Sequence, residues 1–107
     1  MTKYIVTAGC SIYSTVYPII ANSLTDAEEW AYLTAIEEFE SYEGLHGLMS
    51  FQEFCEDAGY HDLESEAAWE EFCGYREDEL VYHVTLFDET NEFHLEVLKE
   101  EGGWIEI

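Results

Sequence analysis

Runs of apolar and β-branched residues near the start of the chain predict two strands. Residues 3–8 and 12–21 are such runs, and Gly9-Cys10-Ser11 between them is typical of a turn. Pro18 lies in the second run. Because proline has no N–H group to give to a sheet, we expect Pro18 at a sheet edge or at a bulge.

Three segments in the middle of the chain carry helix-start signals. Thr25-Asp-Ala-Glu28 and Ser50-Phe-Gln-Glu53 both match the capping box, in which a hydroxyl and a carboxylate satisfy N–H groups at the start of a helix. Asp62 is the expected N-cap of the third helix, and a glycine follows or ends each helix. The pattern predicts helices over residues 25–43, 50–59 and 63–73.

The last part of the chain returns to a strand-like pattern. Phe93, Leu95 and Val97 alternate with polar residues, as in a strand that buries one face. A four-residue segment before them has the length of a hairpin loop. The pattern predicts strands at residues 80–87, 92–98 and 104–107, with the hairpin loop at 88–91.

The resulting order, ββαααβββ, predicts an α+β domain over residues 1–107. In it about three helices pack on one face of a mainly antiparallel sheet of about five strands. The chain has the length of one ordinary domain. Its residues are 48% hydrophobic and 16% aromatic, which supplies material for a core. A disordered acidic chain would lack these aromatics.

The charge of the chain is extreme. Its 25 Asp and Glu residues face only Lys3, Arg76 and Lys99, and the formal net charge is −22. Solubility alone needs a net charge of about 2–8 in magnitude, and the excess costs stability because like charges repel. Nucleic acids and anionic membranes are excluded as direct ligands, since both would be repelled. We expect a basic protein partner, and many basic surfaces in a cell hold nucleic acid.

Cysteine usage predicts a reduced, cytoplasmic protein. Cys10, Cys55 and Cys73 are odd in number and scattered, unlike a disulfide framework. The sequence shows no signal peptide and no apolar run of the about 18 residues that a membrane span requires.

The candidate partner-binding residues are carboxylates that the predicted elements place in rows. Neighbours at i and i+4 on a helix lie about 5–6 Å apart, alternate residues on a strand about 6.6 Å apart, and phosphates along a DNA strand are similarly spaced. The candidates are Asp26, Glu29, Glu37, Glu40 and Glu43 on the first helix, Glu64, Glu66, Glu70 and Glu71 on the third, and Asp88, Glu89, Glu92 and Glu96 on the last hairpin.

Apolar residues near these carboxylates have two interpretations. Leu33 and Ile36, among the acids of the first helix, are either core residues or the apolar centre of an interface. Tyr42 and Tyr60 are candidate exposed aromatics that would add affinity. On the third helix Ala68, Trp69, Phe72 and Cys73 are expected to share one face, opposite the carboxylates.

The sequence does not predict an enzyme, a metal site or a cofactor. The four histidines and three cysteines lack the Cys-x-x-Cys or His-x-x-x-His spacing of zinc sites, and no EF-hand loop is present. Cys10 is better explained as a small buried or turn thiol than as a nucleophile. No glycine-rich phosphate loop occurs, and we expect no catalytic residue.

One segment resembles small orphan proteins of bacteriophages, which have a Phe-x-x-Phe-Cys run, then Gly-Tyr, then an acidic residue with Ser. It is Ser50-Phe-Gln-Glu-Phe-Cys-Glu-Asp-Ala-Gly-Tyr60, continued by Glu64-Ser-Glu-Ala-Ala68. In size and charge the chain also resembles phage anti-restriction and anti-CRISPR proteins that mimic DNA, which share composition rather than sequence. The resemblance implies a counter-defence protein in the cytoplasm of an infected bacterial host, and it assigns no site residues.

Two functions follow from these observations. The first is a non-catalytic inhibitor that binds a basic nucleic-acid-binding surface of a host defence protein, such as a CRISPR effector or a restriction enzyme, by DNA mimicry. The second is an immunity protein or antitoxin that caps a basic nuclease toxin. A general adaptation to high salt is disfavoured, because most of the acids are Glu and large aromatics are plentiful.

Overall fold

The computed structural model describes all 107 residues, as an open four-stranded sheet with four helices. The elements are β1 (Thr2–Cys10), β2 (Ser14–Ala21), α1 (Leu24–Tyr42), α2 (Phe51–Ala58), α3 (Glu66–Glu79), β3 (Leu80–Leu86), α4 (Glu92–Glu101) and β4 (Ile105–Glu106). The predicted α+β class is confirmed, but the number and pairing of the elements differ. None of the helices combines the length and the apolar character that crossing a membrane requires.

The sheet has the strand order β3-β1-β2-β4 and is mixed rather than antiparallel throughout. β1 lies at the centre and pairs antiparallel with β2 and with β3. β4 joins β2 in parallel, through Ile105 opposite Ile19 and Glu106 opposite Ile20. The cause is α4, which carries the chain across the sheet between β3 and β4, as parallel strands require.

Pro18 lies where the outer side of β2 is unpaired. It sits opposite Ile5 of β1, and β4 reaches only Ile19 and Ile20 on the other side of β2. At Pro18 the strand is therefore locally an edge, where a residue without an N–H group is tolerated.

The first core cluster lies between the sheet and the start of α1. This helix begins at Ser23, whose hydroxyl accepts the Asp26 N–H at 3.1 Å, two residues before the predicted box at Thr25. Its buried residues recur every four positions, and the small alanines among them let the helix lie close to the sheet. The cluster consists of Tyr4, Val6, Ala8, Ile19, Ala21, Ala27 and Ala31.

A second core cluster lies where the end of α1 meets α2 and α3. Its buried residues are Cys10, Phe39, Leu48 and Phe72, and the rings of Phe39 and Phe72 meet edge to face with centroids 6.1 Å apart. The two clusters follow one another along α1, and the molecule is accordingly elongated, at 53 × 26 × 17 Å. Its radius of gyration of 16.6 Å exceeds the about 13 Å of a compact domain of this length.

The helix α2 matches the prediction. Ser50 and Glu53 form a reciprocal capping box, and Gly59, with φ of 85°, takes the left-handed conformation that ends the helix. Both signals are local, since each acts on backbone groups within four residues.

The helix α3 is shifted from its predicted position. Ser65 is the N-cap, and its hydroxyl accepts an N–H of the first turn at 3.3 Å. Asp62 instead accepts a backbone N–H two residues on, in a turn before the helix. The helix continues through Gly74 to Glu79. An interior glycine costs about 1 kcal/mol relative to alanine, which the packing of Phe72 against α1 and α2 offsets.

Residues 92–98 are helical, and the strand predicted there is wrong. The side chain of Asn91 accepts the N–H groups of Phe93 and His94 at 2.9 and 3.2 Å, which makes it the N-cap of α4. Gly102, with φ of 75°, ends the helix. These capping signals outweigh the short alternation of apolar residues.

Burial along α4 follows the helical spacing. His94 and Val97 are buried, whereas Phe93 and Leu95 are 56% and 44% exposed. Residues 88–91 lead into this helix and do not form a hairpin loop.

The expectation that all helices pack on one face of the sheet is also wrong. α1 covers the face that carries Tyr4 and Val6. The Phe87 N–H donates to Lys3 O, which places Phe87 beside Lys3, and Lys3 points to the other face because side chains alternate along a strand. Phe87 stacks on His94 of α4 with ring centroids 6.0 Å apart, so α4 lies on that second face.

Candidate protein-binding surface

The carboxylates lie almost entirely on the surface. Of the 25 Asp and Glu residues, Glu38 and Glu79 are partly buried and the other 23 are exposed. Two of the three cations lie over aromatic rings: Lys3 Nζ is 5.3 Å from the centre of the Trp104 ring, and the Arg76 guanidinium is 5.9 Å from that of Trp69. The chain's own cations therefore neutralise little of the acidic surface.

The elongated shape sets the density of this charge. A net charge of −22 over a length of 53 Å corresponds to one net negative charge per about 2.4 Å. A DNA duplex carries one charge per about 1.7 Å of its axis, and a single strand one per about 3.4 Å. The protein therefore lies between single-stranded and duplex DNA in charge per unit length.

The first-helix candidates form one row on the outer face of α1, opposite its buried alanines. Successive members are three to eight residues apart, so all four point to the same side of the helix. The row consists of Asp26, Glu29, Glu37 and Glu40, all exposed. Leu33 lies in the middle of the row. Because it is 52% exposed, it is an apolar surface residue and not a core residue. Ile36 is partly buried.

Glu43, the fifth candidate of α1, lies where α1, α2 and α3 meet. Although the side chain is exposed, partial desolvation of its carboxyl raises the pKa above the ordinary 4.5; repulsion from Glu40 and Glu53 adds to the rise, against the opposing attraction of Arg76. Carboxylates in this corner of the molecule are therefore close enough to disfavour one another's charged form.

The third-helix candidates surround an apolar groove of about 600 Å³ at the start of α3. We call it the Trp69 groove, and its lining residues are Phe51, Leu63, Glu64, Ser65, Glu66, Trp69 and Glu70. Three of the predicted carboxylates thus converge around exposed apolar side chains, since Leu63 is 49% and Trp69 47% exposed. An apolar centre with a polar rim is the arrangement found in protein interfaces.

The indole of Trp69 is held in place by its neighbours. The Phe51 ring meets it edge to face at 5.2 Å between centroids, and the Phe72 ring lies at 5.6 Å. The ring nevertheless lies at the boundary of the core and exposes about half its surface. An aromatic side chain fixed before binding loses less conformational entropy in a complex.

Glu71 points away from the Trp69 groove. Its carboxylate interacts with the Tyr60 hydroxyl, and this interaction, followed by burial, raises the pKa of Tyr60. Tyr60 is partly buried rather than a free aromatic.

The remaining candidates lie around α4. Asp88 accepts the N–H and the hydroxyl of Thr90 at 2.9 and 2.7 Å, and these bonds lower the pKa of its carboxyl below 3.8. The Asp88 carboxylate therefore stabilises the loop before α4 through its hydrogen bonds to Thr90. Glu92 and Glu96 are exposed one turn apart on α4, in place of the predicted strand positions flanking His94. His94 is buried, and its Nδ1 accepts the Asp88 N–H at 3.0 Å.

The cysteines and histidines show no arrangement that points to chemistry. Cys10 and Cys55 are buried and Cys73 is partly buried. Burial raises the pKa of the Cys55 thiol, which disfavours the reactive thiolate. No three His, Cys, Asp or Glu side chains are grouped as ligands of a metal ion.

The structure therefore divides the candidates into three sets: the α1 row, the rim of the Trp69 groove, and carboxylates engaged locally or placed singly. The first two sets combine exposed carboxylates with exposed apolar side chains, Leu33 in one and Trp69 in the other. Comparison of the chain with protein-family models, with curated proteins and with solved structures finds no match.

Proposed function

We propose that the protein is a non-catalytic inhibitor that occupies the nucleic-acid-binding surface of a bacterial defence protein, such as a CRISPR effector or a restriction enzyme. Its carboxylates take the places of phosphates. The observation that carries the proposal is the charge of −22 spread over 53 Å, a charge per unit length between those of single-stranded and duplex DNA.

The rows of carboxylates increase the rate of association with the partner more than they increase the stability of the complex. An exposed ion pair contributes about 0–1 kcal/mol, because solvent and salt screen it. A surface with many like charges nevertheless raises the association rate strongly at low salt. Binding of this kind weakens steeply as salt is added.

The apolar side chains supply the contacts that keep the complex together. Aromatic anchors in desolvated pockets carry most of the binding energy of protein interfaces. Trp69, with Leu63 beside it and Glu66 and Glu70 on the rim, provides such an anchor next to charge. A basic groove that alternates Lys or Arg with apolar surface is its complement.

Capture of the partner tests the proposal. The protein is immobilised, lysate of a bacterial host is passed over it, and proteins eluted by a salt gradient are identified by mass spectrometry. A matched column carries the variant with Glu29, Glu37 and Glu40 changed to Lys. Retention of a nucleic-acid-binding defence protein on the first column alone supports the proposal. Retention of no nucleic-acid-binding protein on the first column contradicts it, and equal retention on both columns places the interface on a face other than that of the α1 helix.

A further inference from the structure

The strand β3 leaves one edge of the sheet open. It is the outermost strand, and its outer side pairs with no other strand. Its seven residues, Leu80-Val-Tyr-His-Val-Thr-Leu86, contain no Asp, Glu, Lys, Arg, Pro or Gly, in a chain that is 26% charged. Proteins usually block such an edge with charges, a proline or a bulge. This edge has none of these within the strand.

The backbone groups that face the open edge can be assigned from the hydrogen bonds to β1. Phe87 N–H donates to Lys3 O at 3.0 Å, and Ser11 N–H donates to Glu79 O at 2.8 Å. Odd-numbered positions therefore bond to β1, and even-numbered positions point their N–H and C=O outward, since the two kinds alternate in an antiparallel pair. The outward-facing residues within the strand are Leu80, Tyr82, Val84 and Leu86, and the Leu80 N–H already donates to Glu77 O.

The charges at the two ends of β3 select the kind of chain that can pair with it. Glu77, Asp78 and Glu79 precede the strand, and Asp88 and Glu89 follow it. A second copy paired antiparallel about the strand's middle would bring the acidic end of α3 in one copy toward Asp88 and Glu89 of the other, and these like charges repel. An extended segment with Lys or Arg at both ends of an uncharged centre meets attraction at both ends instead.

A pocket beside the middle of β3 adds a side-chain requirement. It measures about 290 Å³ and is lined by Leu24, Glu28, Tyr82, His83 and Val84. Side chains of an added strand would alternate between the two faces, so every second one would point toward α1. A Lys or Arg there can lay its apolar stem on Leu24 and Tyr82 and bring its charge to Glu28.

We infer that β3 accepts an extended basic segment of the protein partner as a fifth strand. One Lys or Arg of that segment would occupy the pocket beside β3 that Leu24 and Glu28 line. Main-chain hydrogen bonds would supply affinity, and the pocket and the acidic ends would supply specificity. The inference rests on the proposed function for the partner being a basic protein, and it adds the conformation and the charge pattern of the bound segment.

A synthetic peptide tests the inference without the partner. The probe is the capped nonapeptide Lys-Lys-Thr-Val-Lys-Val-Thr-Lys-Lys, and its control has Glu in place of every Lys. Amide hydrogen exchange is followed by NMR, residue by residue. With the basic peptide in saturating amount, we expect the amides of Tyr82, Val84 and Leu86 to exchange at least about tenfold more slowly. The acidic peptide should leave them unchanged.

Two substitutions at one position separate the backbone from the side chain. Val84→Pro removes an outward N–H and no bond to β1, whereas Val84→Ala keeps the N–H. We expect the proline variant to bind the basic peptide at least about tenfold more weakly than the alanine variant. Leu86→Pro, at a side chain that is 63% exposed, serves as the second variant if circular dichroism shows Val84→Pro to be unfolded.

Three results would overturn the inference: absence of protection by the basic peptide, equal affinity of the folded proline and alanine variants, or protection without peptide that grows with protein concentration. The last would mean that a second copy occupies the edge. None of these results bears on competition with DNA, so a failure here is distinguishable from a failure of the proposed function.

Discussion

Trp69 is an exposed aromatic side chain within a surface that is otherwise acidic. Its ring is held by Phe51 and Phe72, exposes about half its surface, and lines the same groove as Glu66 and Glu70. The charges increase the rate at which a partner associates with this surface. An indole that is desolvated in the complex slows dissociation.

We therefore expect Trp69→Ala to weaken partner binding by about 2 kcal/mol or more, mainly through faster dissociation. The matched control is Phe93→Ala on α4, an aromatic side chain that is 56% exposed and outside both acidic sets. Surface plasmon resonance on the captured partner gives both rate constants. Equal dissociation rates for the two variants would remove the Trp69 groove from the interface.

Asn91 decides between a helix and a strand in the last part of the chain. Its side chain accepts two N–H groups at the start of α4. Asn91→Ala should lower the free energy of unfolding by about 1 kcal/mol, the usual cost of a lost N-cap. The control, Asn22→Ala, changes an exposed asparagine between β2 and α1. Urea unfolding measures both, and an Asn91 variant as stable as the control would contradict the capping role.

At the scale of elements, the carboxylates act as rows on rigid helices. The row on α1 holds Asp26, Glu29, Glu37 and Glu40 on one side of a 19-residue helix. A single exposed charge is replaceable by its neighbours through solvent, so the row and not the residue is the functional unit.

Reversal of three charges tests the α1 row. The variant Glu29→Lys, Glu37→Lys, Glu40→Lys should associate with the partner at least about tenfold more slowly at low salt and with a flatter salt dependence. The control reverses Glu100, Glu101 and Glu106, so that three reversals of two units each take both variants from −22 to −16. Stopped-flow measurements compare them, after circular dichroism has confirmed folding. Identical association rates would place the interface on another face.

The elements also show which parts of the fold the sequence could predict. The ends of α2 were predictable, because Ser50, Glu53 and Gly59 act on nearby backbone groups. The helix α4 was missed, because three alternating apolar residues were given more weight than Asn91 and Gly102. The parallel pairing of β4 depends on that helix and was missed with it.

The candidate site was predictable to a similar degree. Glu64, Glu66, Glu70 and Glu71 were expected to lie together on the third helix; the first three line one groove, and Glu71 does not. The exposure of Trp69 and Leu63 could not be predicted, because it depends on where α2 packs against α3. The open edge of β3 likewise depends on strand order, which no local pattern in residues 80–86 specifies.

At the scale of the whole molecule, the elongated shape reduces the repulsion among the carboxylates. The chain has a net charge of −22 and a radius of gyration of 16.6 Å, so its charges lie farther apart than they would in a compact domain. Repulsion still opposes folding over the screening length of about 8 Å at physiological salt. The elongated shape both limits this cost and gives the surface its resemblance to a nucleic acid in charge density.

Added salt should therefore stabilise the protein. We expect the melting temperature to rise by several degrees between low and moderate sodium chloride, because screening weakens repulsion more in the folded chain than in the unfolded one. Differential scanning calorimetry measures the shift. An unchanged melting temperature would mean that the carboxylates are too far apart to repel.

Mild acid should stabilise the fold as well, and stronger acid should reverse the gain. The pKa of Glu43 is raised in the folded state, so the folded chain binds more protons and stability increases as pH falls from 7 toward about 4.5. The pKa of Asp88 is lowered, so its contribution is lost as pH falls below 3.8 and through its folded-state value. Thermal melts at constant ionic strength follow both effects. A steady fall in melting temperature from pH 7 to 5 would contradict the role of carboxylate repulsion.

The central claim is that the protein and DNA occupy the same surface of the partner. The most direct measurement is the fluorescence anisotropy of a labelled duplex bound to the captured partner while the protein is titrated in. We expect complete displacement of the duplex, with an apparent inhibition constant that rises linearly with duplex concentration. A ternary complex in which the partner holds the duplex with undiminished affinity would contradict the claim.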